Sequence, residues 1–152
     1  MRIHCAVRRL VKCDRGQALV ETALAASFLV LLFLGASQFG IMAYQDIQVD
    51  DAAMAGAQYG AQSTTTILDT NGISLAASND APNLTGLQTT SSYTCICSNG
   101  SASTCQSTDC STSHIEYVLK VNTSATFTPL IQVPGFSSAY TLRGQAIQKV
   151  LP

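Results

Sequence analysis

The alternation of apolar and polar positions divides the chain into two regimes. From Thr22 to Gln45 no charged residue occurs, and Phe28 to Leu34 is apolar at every position. Twenty-odd uncharged, mostly apolar residues in a helix rising 1.5 Å each reach across the roughly 30 Å hydrocarbon core of a bilayer. Gly35, Ser37, Gln38 and Gly40 then weaken the run. Small and polar residues inside a spanning helix more often face another helix than lipid. The helical pattern continues through Ile41, Tyr44, Ile47, Val49, Ala52, Ala53, Met54, Ala57 and Tyr59 to Gln62, with Asp46, Asp50 and Asp51 on its polar side. A continuous helix from Gln17 to Gln62 would be roughly 70 Å long. Its amphipathic outer half needs a surface on which to bury its stripe.

From Tyr93 the period changes to two. Ile115, Tyr117, Leu119, Val121, Ala125 and Phe127 hold odd positions, while His114, Glu116, Lys120, Asn122, Ser124 and Thr126 hold even ones, Val118 being the exception. That alternation predicts a long, half-buried strand. Pro129 and Pro134-Gly135 end it. Tyr140, Leu142, Ala146 and Val150 mark one face of a final strand, with Arg143, Gln145 and Lys149 on the other. Tyr93 to Cys97 is a third candidate strand, and a short helix is expected over Asn71 to Ser78, weakened by Gly72. The pattern predicts an α+β fold, a small antiparallel sheet with its apolar face on the outer half of the long helix.

Charge orients this picture. Arg2, Arg8, Arg9, Lys12 and Arg15 precede the apolar run, and the first charges after Glu21 are Asp46, Asp50 and Asp51. Basic before and acidic after is the positive-inside arrangement, which places the N-terminus in the cytoplasm and the bulk of the chain outside. A cleaved secretory signal is a weaker reading, because the apolar run is too long and the helix pattern crosses the supposed cut near "LGAS". Arg8-Arg9 resembles a twin-arginine signal only in the dipeptide itself. Charged residues make up only 11% of the chain, against about 25% in an average soluble domain. A net charge of −1 gives no general attraction to nucleic acid.

Six cysteines fall into two groups. Cys5 and Cys13 lie on the cytoplasmic side. Cys95, Cys97, Cys105 and Cys110 lie in the outer domain, where an even number reads as two disulfides. Cys95 and Cys97 stand too close together to pair, which leaves two pairings open. A zinc site is the lesser reading, since the C-x-C and C-x4-C spacing is uncommon for one.

No phosphate loop, nucleophile elbow or H-E-x-x-H motif occurs. Of the two histidines, His4 precedes the apolar run and His114 opens a strand on its polar face beside Glu116. These residues read as solvated charges, and no enzyme and no cofactor is expected. The sequons at Asn83, Asn99 and Asn122 are chance products of a Ser/Thr-rich chain.

One residue does not fit an ordinary anchor. Glu21 stands inside the apolar run, where an ionised group costs several kcal/mol. It is the fifth residue after Gly16, with basic residues before the glycine and an apolar helix after it. This arrangement resembles a type IV prepilin processing site. More closely, "RGQALVETAL" resembles the opening of the TadE-like family, pseudopilins of the tight-adherence pilus system. The closing "IEYVLKVNTSATFTPLIQVPGFSSAYTLRGQAIQKV" is similar to that family's alternating strand, F-x-P-L element, Pro-Gly turn and final strand. One position departs from it: Thr22 stands where the family commonly has an aromatic residue.

The resemblance implies a prepilin peptidase that cuts between Gly16 and Gln17 on the cytoplasmic face. It implies that Glu21 pairs with the new α-amine of a neighbouring subunit. Ala18, Leu19, Val20, Ala23 and Leu24 would then pack against other subunits. The implied organisation is a leader over 1–16, a transmembrane helix over 17–45, an amphipathic extension over 46–62 and an extracytoplasmic domain over 63–152. The implied role is a minor pilin in pilus assembly, adhesion and surface colonisation. Its partners would be other pilins, the inner-membrane assembly platform and membrane lipid. The alternative is a single-pass anchored envelope domain that binds a ligand or partner through the loop from Cys95 to Cys110.

Overall fold

The computed structural model describes residues 14–106, 108–132, 135 and 137–150. His4, Cys5, Cys13 and the basic residues before Asp14 lie outside them. Helix α1 runs over Asp14–Gly60, and a 3₁₀ turn over Thr66–Leu68 leads into helix α2, Thr70–Asp80. Strand β1 spans Gln88–Cys97, β2 Ala102–Ser103, β3 Ile115–Phe127 and β4 Tyr140–Val150. The four strands form one antiparallel sheet in the order β2-β1-β3-β4. The fold is α+β, as the pattern predicts. The chain divides into two compact units at Gly40/Ile41.

In the first unit α1 is exposed along its length, with Leu19, Phe28, Phe33 and Phe39 all more than 60% accessible. It contains one stretch long and apolar enough to cross a membrane. Its hydroxyls are turned inward onto the helix: Thr22 Oγ1 donates to Ala18 O at 2.8 Å, Ser27 Oγ to Ala23 O at 2.9 Å and Ser37 Oγ to Phe33 O at 2.8 Å. Such back-bonds satisfy a hydroxyl without water, as hydrocarbon surroundings require.

In the second unit, starting at Ile41, α1 presents a face of small residues. Val49, Ala52, Ala53, Gly56, Ala57 and Gly60 follow the spacing of one helical face and are buried. That face meets the sheet through Ala57 against Leu119 and Val121, and through Val49 against Ala125, Phe127 and Leu142. It meets α2 through Ala52 against Ala77 and Ala81. The glycines set how close these elements come. A Cβ on Gly60 would collide with the Leu119 side chain, and one on Gly144 would lie 2.5 Å from Val49 O.

β3 carries the predicted alternation, its odd positions buried from Leu119 to Phe127. Thr123 belongs to that buried row and donates from Oγ1 to Val49 O at 2.7 Å, joining strand to helix. A buried hydroxyl needs such a partner. The β4 alternation places Leu142 and Val150 inward and Arg143, Gln145 and Lys149 outward, as expected.

β1 begins at Gln88, where "NLTGLQ" reads as a turn leading into a strand, and runs on through the candidate strand Tyr93 to Cys97. β2 is additional, and α2 is longer than Asn71–Ser78. Gly72 strengthens the start of α2. Asp69 caps that helix by accepting from Gly72 N at 2.9 Å, and a Cβ at Gly72 would collide with the Asp69 carboxylate and the Tyr59 ring.

Candidate functional site

The candidate site is the first two turns of the described helix. Gly16 lies within α1 and has no atom within 4 Å of where a Cβ would sit. Its φ is not positive, so neither packing nor backbone conformation demands glycine there. In a helix interior glycine costs about 1 kcal/mol relative to alanine. Three tight glycines, Gly60, Gly72 and Gly144, each have a neighbour that excludes a side chain, and a Cβ on Gly56 would lie 3.1 Å from Ile73 O. Gly16, like Gly35 and Gly40, has no such neighbour among the described residues.

Gln17, Ala18, Leu19, Val20, Glu21, Ala23 and Leu24 are all exposed. Four residues along a helix is about one turn, so Glu21 stands over Gln17 with their Cα atoms about 6 Å apart along the axis. Among the described residues no side chain pairs with Glu21. Thr22, at the departing position, bonds its own helix instead of offering a ring to a neighbour. The helix therefore brings Gly16, Gln17 and Glu21 together on consecutive turns. It leaves Ala18 to Leu24 as an unpartnered apolar surface around one acid.

The four outer cysteines form two disulfides, Cys95–Cys105 and Cys97–Cys110, with Cα separations of 5.2 and 5.6 Å. This is one of the two pairings that spacing left open. Cys95 and Cys97 are both buried in β1, and the chain returns through β2 to meet each in turn. Asp109 ties the loop between them. It accepts from Thr104 N at 2.6 Å, Thr104 Oγ1 at 2.7 Å and Ser103 Oγ at 3.1 Å. The Thr104 hydroxyl and amide hold the Asp109 carboxyl below the usual carboxylate range.

Two other carboxyls are depressed. Asp69 is lowered by the Gly72 N–H and by the Tyr59 hydroxyl, which donates to it at 2.9 Å. The same bond raises the Tyr59 phenol. Glu116 is lowered by Lys149, whose Nζ lies 2.8 Å away. These groups are dispersed over caps and the sheet surface and do not converge on one point. Among the described residues no three His, Cys, Asp or Glu side chains gather as a metal site. The sheet's outward face carries a shallow, open groove of ≈ 430 Å³ lined by Thr90, Asn122, Ser124, Arg143 and Gln145. A second groove of ≈ 320 Å³ lies between Ile67, Leu68 and Tyr93. Neither is lined by the disulfide loop.

Residues 16–58 match the family model of TadE-like proteins. The matched segment starts at Gly16 and ends within α1, so it covers the helix and none of the strands. No curated protein and no solved structure matches the chain.

Proposed function

We propose that this chain is a minor pilin or pseudopilin of a tight-adherence pilus, processed after Gly16 and active in assembly, adhesion and surface colonisation. The observation that carries the reading is the coincidence at one helix end. The TadE-like match begins at a glycine, and the fifth residue after it is an acid that no side chain pairs among the described residues.

The leader, residues 1–16, is basic and stays in the cytoplasm, while the apolar helix over 17–45 crosses the inner membrane. The extension over 46–62 and the domain over 63–152 lie outside. Prepilin peptidase needs an extended backbone in its cleft, and glycine reaches that shape at least cost. Cleavage leaves a positive α-amine on Gln17. Near the headgroups that amine and Glu21 remain hydrated. Between packed helices water is lost, and each charge then requires the other. Leaving one of them alone there costs about 3–5 kcal/mol. The pair therefore rewards the one axial stagger that brings the Gln17 amine of one subunit beside Glu21 of the next. Ala18, Leu19, Val20, Ala23 and Leu24 supply the apolar contact around it. The hydroxyls of Thr22, Ser27 and Ser37 are already satisfied within the helix and do not oppose burial.

Intact-mass and N-terminal analysis of the chain from cells with active prepilin peptidase tests the cut. A mature N-terminus at Gln17 is expected, and a chain retained from Met1 would refute the proposal. The alternative is a ligand or partner site in the loop from Cys95 to Cys110.

A further inference from the structure

After Arg15 the sequence holds three basic residues, Lys120, Arg143 and Lys149. The register of the sheet puts all three on one face. Lys120 stands opposite Ile147, Arg143 opposite Ser124 and Lys149 opposite Val118. These positions point away from the buried row Leu119, Val121, Ala125 and Leu142, and all three side chains are exposed. Lys149 is held by Glu116, whereas Lys120 and Arg143 have no acidic partner among the described residues. Ile147, more than half exposed, lies among them.

The acids are placed elsewhere. Asp46, Asp50 and Asp51 sit on the exposed face of α1 beyond Gly40, and none has a partner among the described residues. Tyr44, Ile47 and Met54 share a face with Asp51 and are also more than half exposed. The spacing 44, 47, 51, 54 is one helical stripe, with Asp50 beside it and Asp46 set further round the helix. The stripe is about 15 Å long by helical rise, and Arg143 to Lys149 covers about 20 Å of strand. Two surfaces of one chain are thus opposite in charge and comparable in extent, each with exposed apolar side chains among its charges, and both lie within residues 41–152.

We infer that the outward sheet face around Lys120, Arg143 and Ile147 docks the acidic helix stripe of a second copy of this chain, from Tyr44 to Met54. The two patches differ, so the contact is head-to-tail. Such contacts do not close on themselves as a two-fold dimer does, and they extend into rows when the rotation leaves them open. Long lysine and arginine stems cover the apolar centre while their charged ends reach the aspartates. The inference goes beyond the processing proposal. It requires neither cleavage after Gly16 nor pairing by Glu21.

The test uses the full chain, expressed without prepilin peptidase, in a zwitterionic detergent at low salt. Sedimentation velocity is measured for the wild type, for Lys120→Glu with Arg143→Glu, and for Asp50→Lys with Asp51→Lys. The wild type is expected to self-associate, more weakly as salt rises. Each charge-reversed variant alone is expected to associate at least about tenfold more weakly, because attraction becomes repulsion. An equal mixture of the two variants is expected to recover association, since the basic helix of one meets the acidic sheet of the other. Circular dichroism of each variant, matched to the wild type, shows that the exposed substitutions leave the fold in place. A wild type that does not self-associate, a variant that associates like it, or a mixture that fails to recover would overturn the inference. So would loss confined to the sheet variant's binding to phosphatidylglycerol vesicles, which would assign the cations to lipid headgroups.

Discussion

Replacing Gly144 by alanine tests how the helix is seated on the sheet. Gly144 in β4 lies directly beneath α1, and a Cβ there would sit 2.5 Å from Val49 O and 2.7 Å from Thr123 Oγ1. Neither neighbour can step aside freely. Val49 O belongs to helix backbone, and Thr123 Oγ1 is held by its 2.7 Å bond to that same oxygen. Alanine must therefore push α1 off the sheet by a few tenths of an ångström or more. Overpacking of this kind costs about 1–3 kcal/mol. Weakening the buried Thr123–Val49 hydrogen bond adds about 1 kcal/mol. The lower unfolded-state entropy of alanine returns about 0.5–1 kcal/mol. The net loss is about 1–3.5 kcal/mol, which corresponds to a fall in Tm on the order of 10 °C for a domain of this size. Thermal unfolding of the full chain in detergent, followed by the near-ultraviolet signal of its tyrosines, measures it. Gly35→Ala is the control, because a Cβ there meets nothing within 4 Å. A Gly144→Ala chain as stable as that control would refute the close approach of helix and sheet.

The remaining expectations concern the disulfides, the carboxyls and Glu21. Peptide mapping without reduction is expected to join Cys95 to Cys105 and Cys97 to Cys110. Replacing Cys97 and Cys110 together by serine is expected to cost about 3 kcal/mol through loop entropy, and finding the crossed pairing would contradict the structure. Asp69, Asp109 and Glu116 have lowered pKa values in the fold, so their stabilisation is complete above the ordinary carboxylate range near about 4. It is lost as pH falls through their folded values, and an Asp69→Asn chain that keeps the full acid dependence of the wild type would count against Asp69's share. Tyr59 is raised, so its contribution persists below a pKa of about 10 and is lost as pH climbs through the higher folded value. Glu21→Ala is expected to leave cleavage intact and to reduce incorporation into pili by about tenfold or more, read by immunoblot of sheared filaments. Normal incorporation would remove the charge pair from the account.

The parts of the fold that were legible in the sequence are those with a strong period. β3 and β4 alternate cleanly because one face is buried and the other wet, and α1 continues past the membrane run because its small and apolar residues keep helical spacing. The first half of β1 was legible only through the turn at "NLTGLQ" that leads into it, because Gln88 to Ser92 is polar at every position and shows no alternation. It is a strand because β3 supplies its partner, residue by residue from Gln88 opposite Ser124. Thr123 was also hidden: a threonine fits either face of a strand, and only the Val49 carbonyl above it shows which. Gly72 read as a weakness in α2 until the Tyr59 ring and the Asp69 cap occupied the space beside it. At the candidate site, Gly16 and Glu21 stood out by spacing alone. The disulfide pairing needed the path of β2, and the gathering of Lys120, Arg143 and Lys149 on one face needed the β3–β4 register.

The central claim is that Gly16 marks a cut and that the helix beyond it is an assembly device. The most direct measurement is the mass and N-terminal sequence of the chain purified from cells with and without active prepilin peptidase. The account expects Gln17 at the N-terminus in the first case and the uncut leader in the second. The same uncut chain in both would contradict it.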